Sequence, residues 1–138
     1  MTDPKSMSDE AFLAAFLDCS MPPAGFNHRG HIRVAWLLLR RFPLEEAVCK
    51  TCDGIGRLAA HLGVAGKYNH TLTETLVRLM AHGGAADPSL SWDDFLRQNH
   101  VLVSDARRLL GRYYSEECLS SPEARSRSLP PDRQPLPA

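Results

Sequence analysis

The 138 residues suffice for one domain with a single hydrophobic core, since a globular domain commonly takes about 100–150 residues. Hydrophobic residues make up 43% of the chain and charged residues 23%, which excludes a largely disordered protein. The 16 basic and 16 acidic side chains give a formal charge of zero, which argues against nucleic acid as the main partner.

The longest apolar run, Val34 to Leu39, is far shorter than the roughly 20 residues of a membrane span, so no membrane partner is expected. The first twenty residues mix charged and apolar side chains and lack the apolar core of a signal peptide. These features predict a cytoplasmic protein whose four cysteines are reduced thiols. No pattern in the sequence indicates an oligomeric state.

Apolar residues recur at helical spacing through most of the chain, which predicts an all-α, single-domain bundle of about five to six helices. The predicted helices span about 9–18, 28–41, 43–62, 69–82 (with a start at 69 or 71), 92–99 and 105–114. Their expected N-terminal caps are Ser8, Asn27, Asn69 or Thr71, Ser91 and Ser104.

The side chains of the first three helices also predict how these helices pack. The first helix is expected to turn Phe12, Phe16 and Leu17 inward, and in the second Trp36 is expected to one side of the apolar stripe. Gly54 and Gly56 lie inside the third helix, where each costs roughly 1 kcal/mol relative to alanine. They indicate that another group approaches that helix closely.

The C-terminal segment differs from the rest of the chain. After an expected turn at 122–125, residues 126–138 are too rich in proline for a helix or a central strand. The sequence therefore predicts a helical bundle over 1–125 and an extended tail over 126–138. The tail is either disordered or docked, and the apolar Leu119, Leu129 and Leu136 favour docking.

Four of the six histidines fall in two places, His28 and His31, then His61 and His70. Residues three apart share a helix face, so His28 and His31 project together. If the second and third helices form an antiparallel hairpin at Pro43, His28 lies roughly 15 residues before the turn and His61 roughly 18 after it, an axial offset of about 4–5 Å. A short connection then brings His70 to the same end of the bundle.

This end of the bundle is the predicted site. Imidazoles with an oxygen donor suit Zn, Fe, Cu or Ni, so we expect His28, His31 and His70 to bind a transition metal ion. Glu74 and Tyr68 are the candidate catalytic residues, and Asn69 and Thr73 are expected to bind a cofactor. Without a metal, His28 or His31 could act as a general base, with Tyr68 as hydrogen-bond donor.

Each of these side chains also has a structural interpretation. Thr71 and Glu74 have the spacing of a capping box, which would occupy Glu74, and Asn69 could itself be a helix cap. The cysteine pair Cys49 and Cys52 looks like part of a zinc pattern with His28 and His31. The hairpin arithmetic nevertheless separates the two pairs by about 13 Å, too far for ligands of one ion.

The chain resembles a group of small bacterial helical proteins that have no known activity. The resemblance rests on Phe-x-His-x-x-His at 26–31, on a Lys-Tyr-His-x-Thr-x-Thr segment, here 67–73, and on Ser-x-x-Ala-Arg…Pro-Asp…Pro-Leu-Pro at 121–137. One difference is that Asn69 stands where the group has histidine, and His70 follows it. A shift of one residue turns a helical side chain by about 100°, so either Asn69 or His70 faces the site.

Two functions fit these features. The first is a small, histidine-ligated metal-dependent enzyme that acts on a small molecule. The second is a non-catalytic helical module that binds a small molecule or a protein, with structural histidines and with the tail as a lid or a partner-binding segment.

Overall fold

The computed structural model describes residues 6–22 and 27–137, and within these ranges the chain forms α-helices and one 3-10 helix without any strand. The prediction of an all-α fold is confirmed. The helices are α1 (Asp9–Leu17), α2 (His28–Leu39), α3 (Leu44–His61), the 3-10 helix Ala65–Lys67, α4 (His70–His82), α5 (Trp92–Gln98), α6 (His100–Ser104), α7 (Ala106–Leu110), α8 (Glu116–Leu119) and α9 (Pro122–Ser126). None of these helices is long and apolar enough to cross a membrane. The chain divides into two compact units, Met1–Tyr68 and Asn69–Ala138.

In the first unit, α1 packs on both α2 and α3. Ser8 caps it as predicted, because its hydroxyl accepts a hydrogen bond from the Ala11 backbone N–H at 3.1 Å. Phe12 and Phe16 are buried as expected, but Leu17 is 46% exposed, so its predicted inward position is wrong. The inner face is completed by Leu13 and Ala15, and Leu17 falls on the next side of the helix.

Helix α2 also begins where the sequence predicted. The Asn27 side chain accepts from the Gly30 N–H at 2.8 Å and caps it. Residues 34–39 are buried on every side because α2 packs against both α1 and α3. Trp36, expected to one side of the stripe, is therefore buried as well, and the Arg40 guanidinium covers its ring at 4.5 Å.

Helix α3 starts after Pro43 and ends before Gly63, whose φ of +77° is the left-handed conformation that favours glycine. A Cβ added at Gly54 would lie well inside 3.0 Å of the Phe16 ring, so α1 and α3 approach closely at this point. A Cβ at Gly56 would meet the Tyr68 ring at 3.7 Å, which is ordinary contact. The predicted close approach is therefore confirmed at Gly54.

In the second unit, α4 begins after Asn69 and ends at His82, before the glycine pair Gly83 and Gly84. Ser91 caps α5 by accepting from the Asp94 N–H at 3.2 Å, as predicted. The single helix expected over 105–114 is wrong: α6 comes first, and α7 is only five residues long.

The predicted cap of that helix is wrong too. Asp105, not Ser104, caps α7, because its carboxylate accepts from the Arg108 N–H at 3.3 Å. The Ser104 hydroxyl instead donates to the His100 carbonyl within α6, at 2.7 Å. Two short helices that the sequence did not predict, α8 and α9, precede the tail.

The tail is docked in the second unit, mainly through residues 127–133, which we call the C-terminal strap. The buried Thr71 hydroxyl donates to the Arg127 carbonyl at 2.6 Å and accepts from the Leu129 N–H at 3.1 Å. The Tyr114 hydroxyl donates to the Leu129 carbonyl at 2.8 Å. Of the two alternatives left open by the sequence, the structure shows the docked one.

A second set of contacts holds the far end of the C-terminal strap. The Ser115 backbone N–H and hydroxyl donate to the two carboxylate oxygens of Asp132, at 2.8 and 2.6 Å. The Arg133 N–H donates to the Tyr113 carbonyl at 2.9 Å. The strap is thus hydrogen-bonded along its length and belongs to the second unit. The predicted boundary between a helical bundle over 1–125 and a tail over 126–138 stays a prediction.

Candidate functional site

The first group of predicted site residues lies on the first turn of α2, in the first unit. Asn27 fixes where this helix starts, and therefore places His28 and His31 on its first turn, three residues apart. His28 is exposed, whereas His31 is partly buried and is followed one turn later by the buried Ala35. His31 therefore extends the core-facing stripe of α2 to the helix end, whereas the exposed His28 does not.

Burial changes the protonation of His31. The pKa of this imidazole falls from 6.5 to about 4. The main cause is that the charged ring loses hydration on burial, and the positive charge of His28 contributes a smaller part of the same shift. His31 is therefore neutral near pH 7 and keeps a nitrogen lone pair. Such a ring can bind a metal ion or accept a hydrogen bond, but with this pKa it is a weak general base at neutral pH.

The second group lies on the first two turns of α4, in the second unit. His70 Nε2 is 3.5 Å from Glu74 Oε1, and Arg78 Nε donates to Glu74 Oε2 at 3.0 Å. The three side chains succeed one another at a spacing of four residues and form a polar row along the helix. We call His70, Glu74 and Arg78 the α4 row.

Asn69 and Thr73, the predicted cofactor-binding residues, have structural contacts. The Asn69 carbonyl oxygen Oδ1 accepts from the Leu72 N–H at 3.0 Å and caps α4, and its Nδ2 donates to the Leu119 carbonyl at 2.7 Å. The Thr73 hydroxyl donates to the Asn69 backbone carbonyl at 2.8 Å. Both polar ends of the Asn69 amide are thus used in the fold, and the binding role of the two residues stays a prediction.

The expected capping box at Thr71 and Glu74 is wrong. Asn69 caps the helix, the Thr71 hydroxyl is bonded to the C-terminal strap, and the Glu74 carboxylate is paired with Arg78. Glu74 is therefore not used as a cap. The predicted catalytic Tyr68 lies after the 3-10 helix of the first unit, is half-buried, and has its ring beside Gly56.

The predicted residues are thus divided between the units. His28, His31 and Tyr68 lie in the first, and Asn69, His70, Thr73 and Glu74 lie in the second. Over 6–22 and 27–137, no group of three or more His, Cys, Asp or Glu side chains is arranged to hold a metal ion. The three-histidine site therefore stays a prediction.

The remaining histidines are at helix ends. His61 is the last residue of α3 and is exposed, and His82 is the last residue of α4 and is exposed as well. A cationic side chain is favoured at a helix C-terminus, which suits the position of His82. His100 begins α6 and is exposed.

Arg78 of the α4 row and the nearby Tyr114 were not identified from the sequence. Arg78 follows Glu74 by four residues, a spacing that indicates an ion pair on a helix. Tyr114 is buried, and burial raises the pKa of its hydroxyl. The charge of Glu74 raises this pKa as well, whereas a hydrogen bond with Thr75 lowers it. No local pattern pointed to Tyr114, because its partners are distant in the sequence.

Neither Cys49 nor Cys52 lies in surroundings that would make its thiol reactive. Cys52 is buried in the core. Cys49 is exposed, and the charge of Asp53 raises the pKa of its thiol, assisted by an Sγ–Oδ2 hydrogen bond of 3.6 Å. A raised pKa leaves less thiolate at neutral pH, so Cys49 is a poorer nucleophile than an ordinary cysteine.

No protein-family model matches the chain, and no curated protein or solved structure matches it. The resemblance of residues 26–137 to the group of small bacterial helical proteins accordingly stays a prediction.

Proposed function

We propose that this protein is a small metal-dependent enzyme that holds a transition metal ion on His28 and His31 and acts on a small molecule. The observation that carries the proposal is the pair of imidazoles on the first turn of α2, of which His31 is held neutral by burial. A neutral imidazole has the lone pair that a metal needs. Zn, Fe, Cu and Ni all accept such ligands.

Two protein ligands leave several coordination positions for water, for substrate or for a further side chain. An ion in such a site can lower the pKa of a bound water or polarise an oxygen of the substrate. The roles of His70 as third ligand, of Glu74 and Tyr68 as catalytic residues, and of Asn69 and Thr73 as further binding residues stay predictions from the sequence. The proposal includes a cytoplasmic location and no role for nucleic acid.

The test is the metal content of protein purified without a histidine tag, followed by titration with Zn²⁺, Ni²⁺ and Cu²⁺. We expect at least one of these ions to bind, and expect His28→Ala and His31→Ala each to weaken its binding. His61→Ala is the matched control, since it removes an exposed imidazole of the same unit. His70→Ala tests separately whether the histidine of the second unit takes part in metal binding. If no transition metal binds, or if only His61→Ala weakens binding, the proposal is wrong.

A second candidate function has an observation in its favour. The side chain of Asn69 caps α4, the Thr71 hydroxyl binds the C-terminal strap, and the Thr73 hydroxyl donates to the Asn69 backbone carbonyl. This use favours a non-catalytic helical module in which the histidines are structural. Under that function His31→Ala lowers stability to the same extent with and without added metal. Under the metal proposal, the metal stabilises only the wild-type protein, since an ion bound to the native state shifts the unfolding equilibrium.

A further inference from the structure

The C-terminal strap is held by hydrogen bonds more than by burial. None of residues 127–133 is buried: Leu129 and Pro131 are half-buried, and the others are exposed. A segment with little apolar burial opens locally at a lower cost in free energy than the core of a protein does. We therefore expect the strap to detach more readily than α4 unfolds.

The surface beneath the strap has buried polar groups. Thr71 is 1% exposed and Tyr114 is 2% exposed, and their hydroxyls both bond to the strap backbone. We call Thr71, Tyr113, Tyr114 and Ser115 the strap-binding surface. When the strap detaches, these residues exchange their partners for water. Another segment that supplies the same donors and acceptors can then take its place.

Most hydrogen bonds of the strap are made by its backbone. The Leu129 N–H bonds to Thr71, and the Leu129 carbonyl bonds to Tyr114. The Arg127 carbonyl and the Arg133 N–H make two further backbone bonds to the same surface. Contacts of this kind select an extended conformation, because they do not depend on the side chains of the bound segment.

Selectivity for a sequence comes from Pro130, Pro131 and Asp132. Proline restricts its own backbone and favours an extended conformation, so a segment that contains it loses little conformational entropy on binding. The Asp132 carboxylate accepts from both the N–H and the hydroxyl of Ser115, at 2.8 and 2.6 Å. The side-chain and backbone hydrogen bonds from Ser115 also lower the pKa of the Asp132 carboxyl. The two donors therefore favour an acidic residue at this position.

We propose that the strap-binding surface is a site for an extended segment of a partner protein, in which a leucine is followed by two prolines and an acidic residue, and that the strap occupies this site as an internal competitor. Because the strap is tethered, its effective concentration at the site is on the order of millimolar, so a free segment binds only weakly while the strap is intact. Weakening the strap opens the site to the partner. This inference concerns the second unit alone and goes beyond the proposed metal site.

The first test is the binding of a fluorescently labelled peptide with the sequence of residues 126–137 to the whole chain, measured by fluorescence polarisation. Asp132→Ala weakens the internal strap and leaves the strap-binding surface unchanged. We expect this variant to bind the peptide roughly tenfold more tightly than the wild type, or more. Glu117→Ala is the matched control, since it removes an exposed carboxylate of the same unit outside the strap, and it should bind the peptide as the wild type does. An Asp132→Ala variant that binds no more tightly than the wild type would overturn the proposal.

The second test locates the bound peptide by variants made in the Asp132→Ala background. Thr71→Val should weaken peptide binding roughly tenfold, because it removes the hydroxyl that bonds to the strap backbone. Thr73→Val should leave binding unchanged, because the Thr73 hydroxyl bonds within α4. Equal binding by these two variants contradicts the proposal.

The peptide itself provides a comparison that stands even if Thr71→Val fails to fold. A peptide with alanine in place of the residue that corresponds to Asp132 should bind the Asp132→Ala protein roughly tenfold more weakly than the peptide of native sequence. If the two peptides bind equally well, the Ser115 donors do not select an acidic residue and the proposal is wrong.

Native-state hydrogen exchange of the wild type needs no variant. We expect the Leu129 and Arg133 N–H groups to exchange by local opening, at least about tenfold faster than the amides of the buried Leu76 and Val77 in α4. Exchange of all four at one rate means that the strap opens only when the unit unfolds, which contradicts an internal competitor.

Sedimentation of the wild type distinguishes a separate partner from a second copy of this chain. We expect no strap-dependent dimer at micromolar concentration. A dimer that Asp132→Ala abolishes would show that the strap of a second copy occupies the site, and the proposal of a separate partner would then be wrong.

Discussion

The hydroxyl of Thr71 and the backbone N–H of Leu129 are joined by a hydrogen bond of 3.1 Å, although 58 residues separate them. The same hydroxyl donates to the Arg127 carbonyl at 2.6 Å. Thr71 is 1% exposed, so water does not compete for these bonds. One threonine on the first turn of α4 therefore fixes the start of the C-terminal strap.

Replacement of Thr71 by valine should test this relationship. Valine has nearly the same shape but leaves the Leu129 N–H and the Arg127 carbonyl without their partner. We expect a loss of about 1–3 kcal/mol in the free energy of unfolding, measured by urea denaturation. Thr73→Val is the control, because the Thr73 hydroxyl bonds only within its own helix, and about 1 kcal/mol or less should be lost there. Equal losses in the two variants would show that the strap contacts add nothing.

Asn69→Ala removes two contacts at once, the cap on Leu72 and the donation to the Leu119 carbonyl. A helix cap alone is worth about 0.5–2 kcal/mol, and the added contact should raise the loss towards about 3 kcal/mol. Ser91→Ala, which removes only the cap of α5, should cost about 1 kcal/mol and is the reference. A smaller loss for Asn69→Ala than for Ser91→Ala in urea denaturation would refute the structural role of Asn69.

The two glycines of α3 should respond to alanine in opposite directions. At Gly54 the new methyl group meets the Phe16 ring, which is 1% exposed and has no room to turn away. We expect Gly54→Ala to lower the free energy of unfolding by about 1–3 kcal/mol, despite the better helix propensity of alanine. Gly56→Ala makes an ordinary contact with Tyr68 and should raise it by up to about 1 kcal/mol. Thermal unfolding of the two variants provides the comparison, and a stabilised Gly54→Ala would contradict the close packing.

The depressed pKa of His31 predicts a pH dependence of stability in metal-free protein. The neutral ring is preferred in the folded state, whose pKa is about 4, whereas the unfolded chain takes up the proton at its ordinary value of 6.5. The contribution is therefore fully present above pH 6.5 and is lost as the pH falls towards 4. It amounts to at most about 3 kcal/mol.

Urea denaturation at about pH 7 and about pH 4.5, in the presence of a chelator, measures this contribution. The difference between the wild-type and His31→Gln proteins isolates the contribution of His31 from that of the carboxylates, which also titrate in this range. His61→Gln, which changes an exposed histidine, should behave like the wild type. If His31→Gln loses as much stability on acidification as the wild type, the burial of His31 does not have the predicted effect.

The sequence predicted the helix starts at Ser8, Asn27 and Ser91 because a cap depends on a side chain and the backbone two or three residues later. The break between α6 and α7 depends on the non-helical backbone of Asp105, with φ of −153° and ψ of 68°, and on its use as a cap in place of Ser104. Both serine and aspartate are good caps, so residue type alone could not choose between them. The very short α8 and α9 contain too few residues to show a helical period.

The sequence predicts part of the candidate site but not the contacts that dock the C-terminal strap. The bonds of Thr71 and Tyr114 to the C-terminal strap span 15 to 58 residues, and no periodicity encodes such contacts. The pairing of His28 with His31, by contrast, follows from helix geometry alone. Whether His70 joins them depends on the arrangement of separate helices, which lengths and spacings do not determine.

The ligands of a bound ion can be observed directly by X-ray absorption at the zinc edge, on untagged protein loaded with an equimolar amount of Zn²⁺. We expect the scattering pattern of at least two imidazole rings, and its loss in the double variant His28→Ala/His31→Ala with the fold preserved. A spectrum with only oxygen ligands, or one that the double variant leaves unchanged, would contradict it.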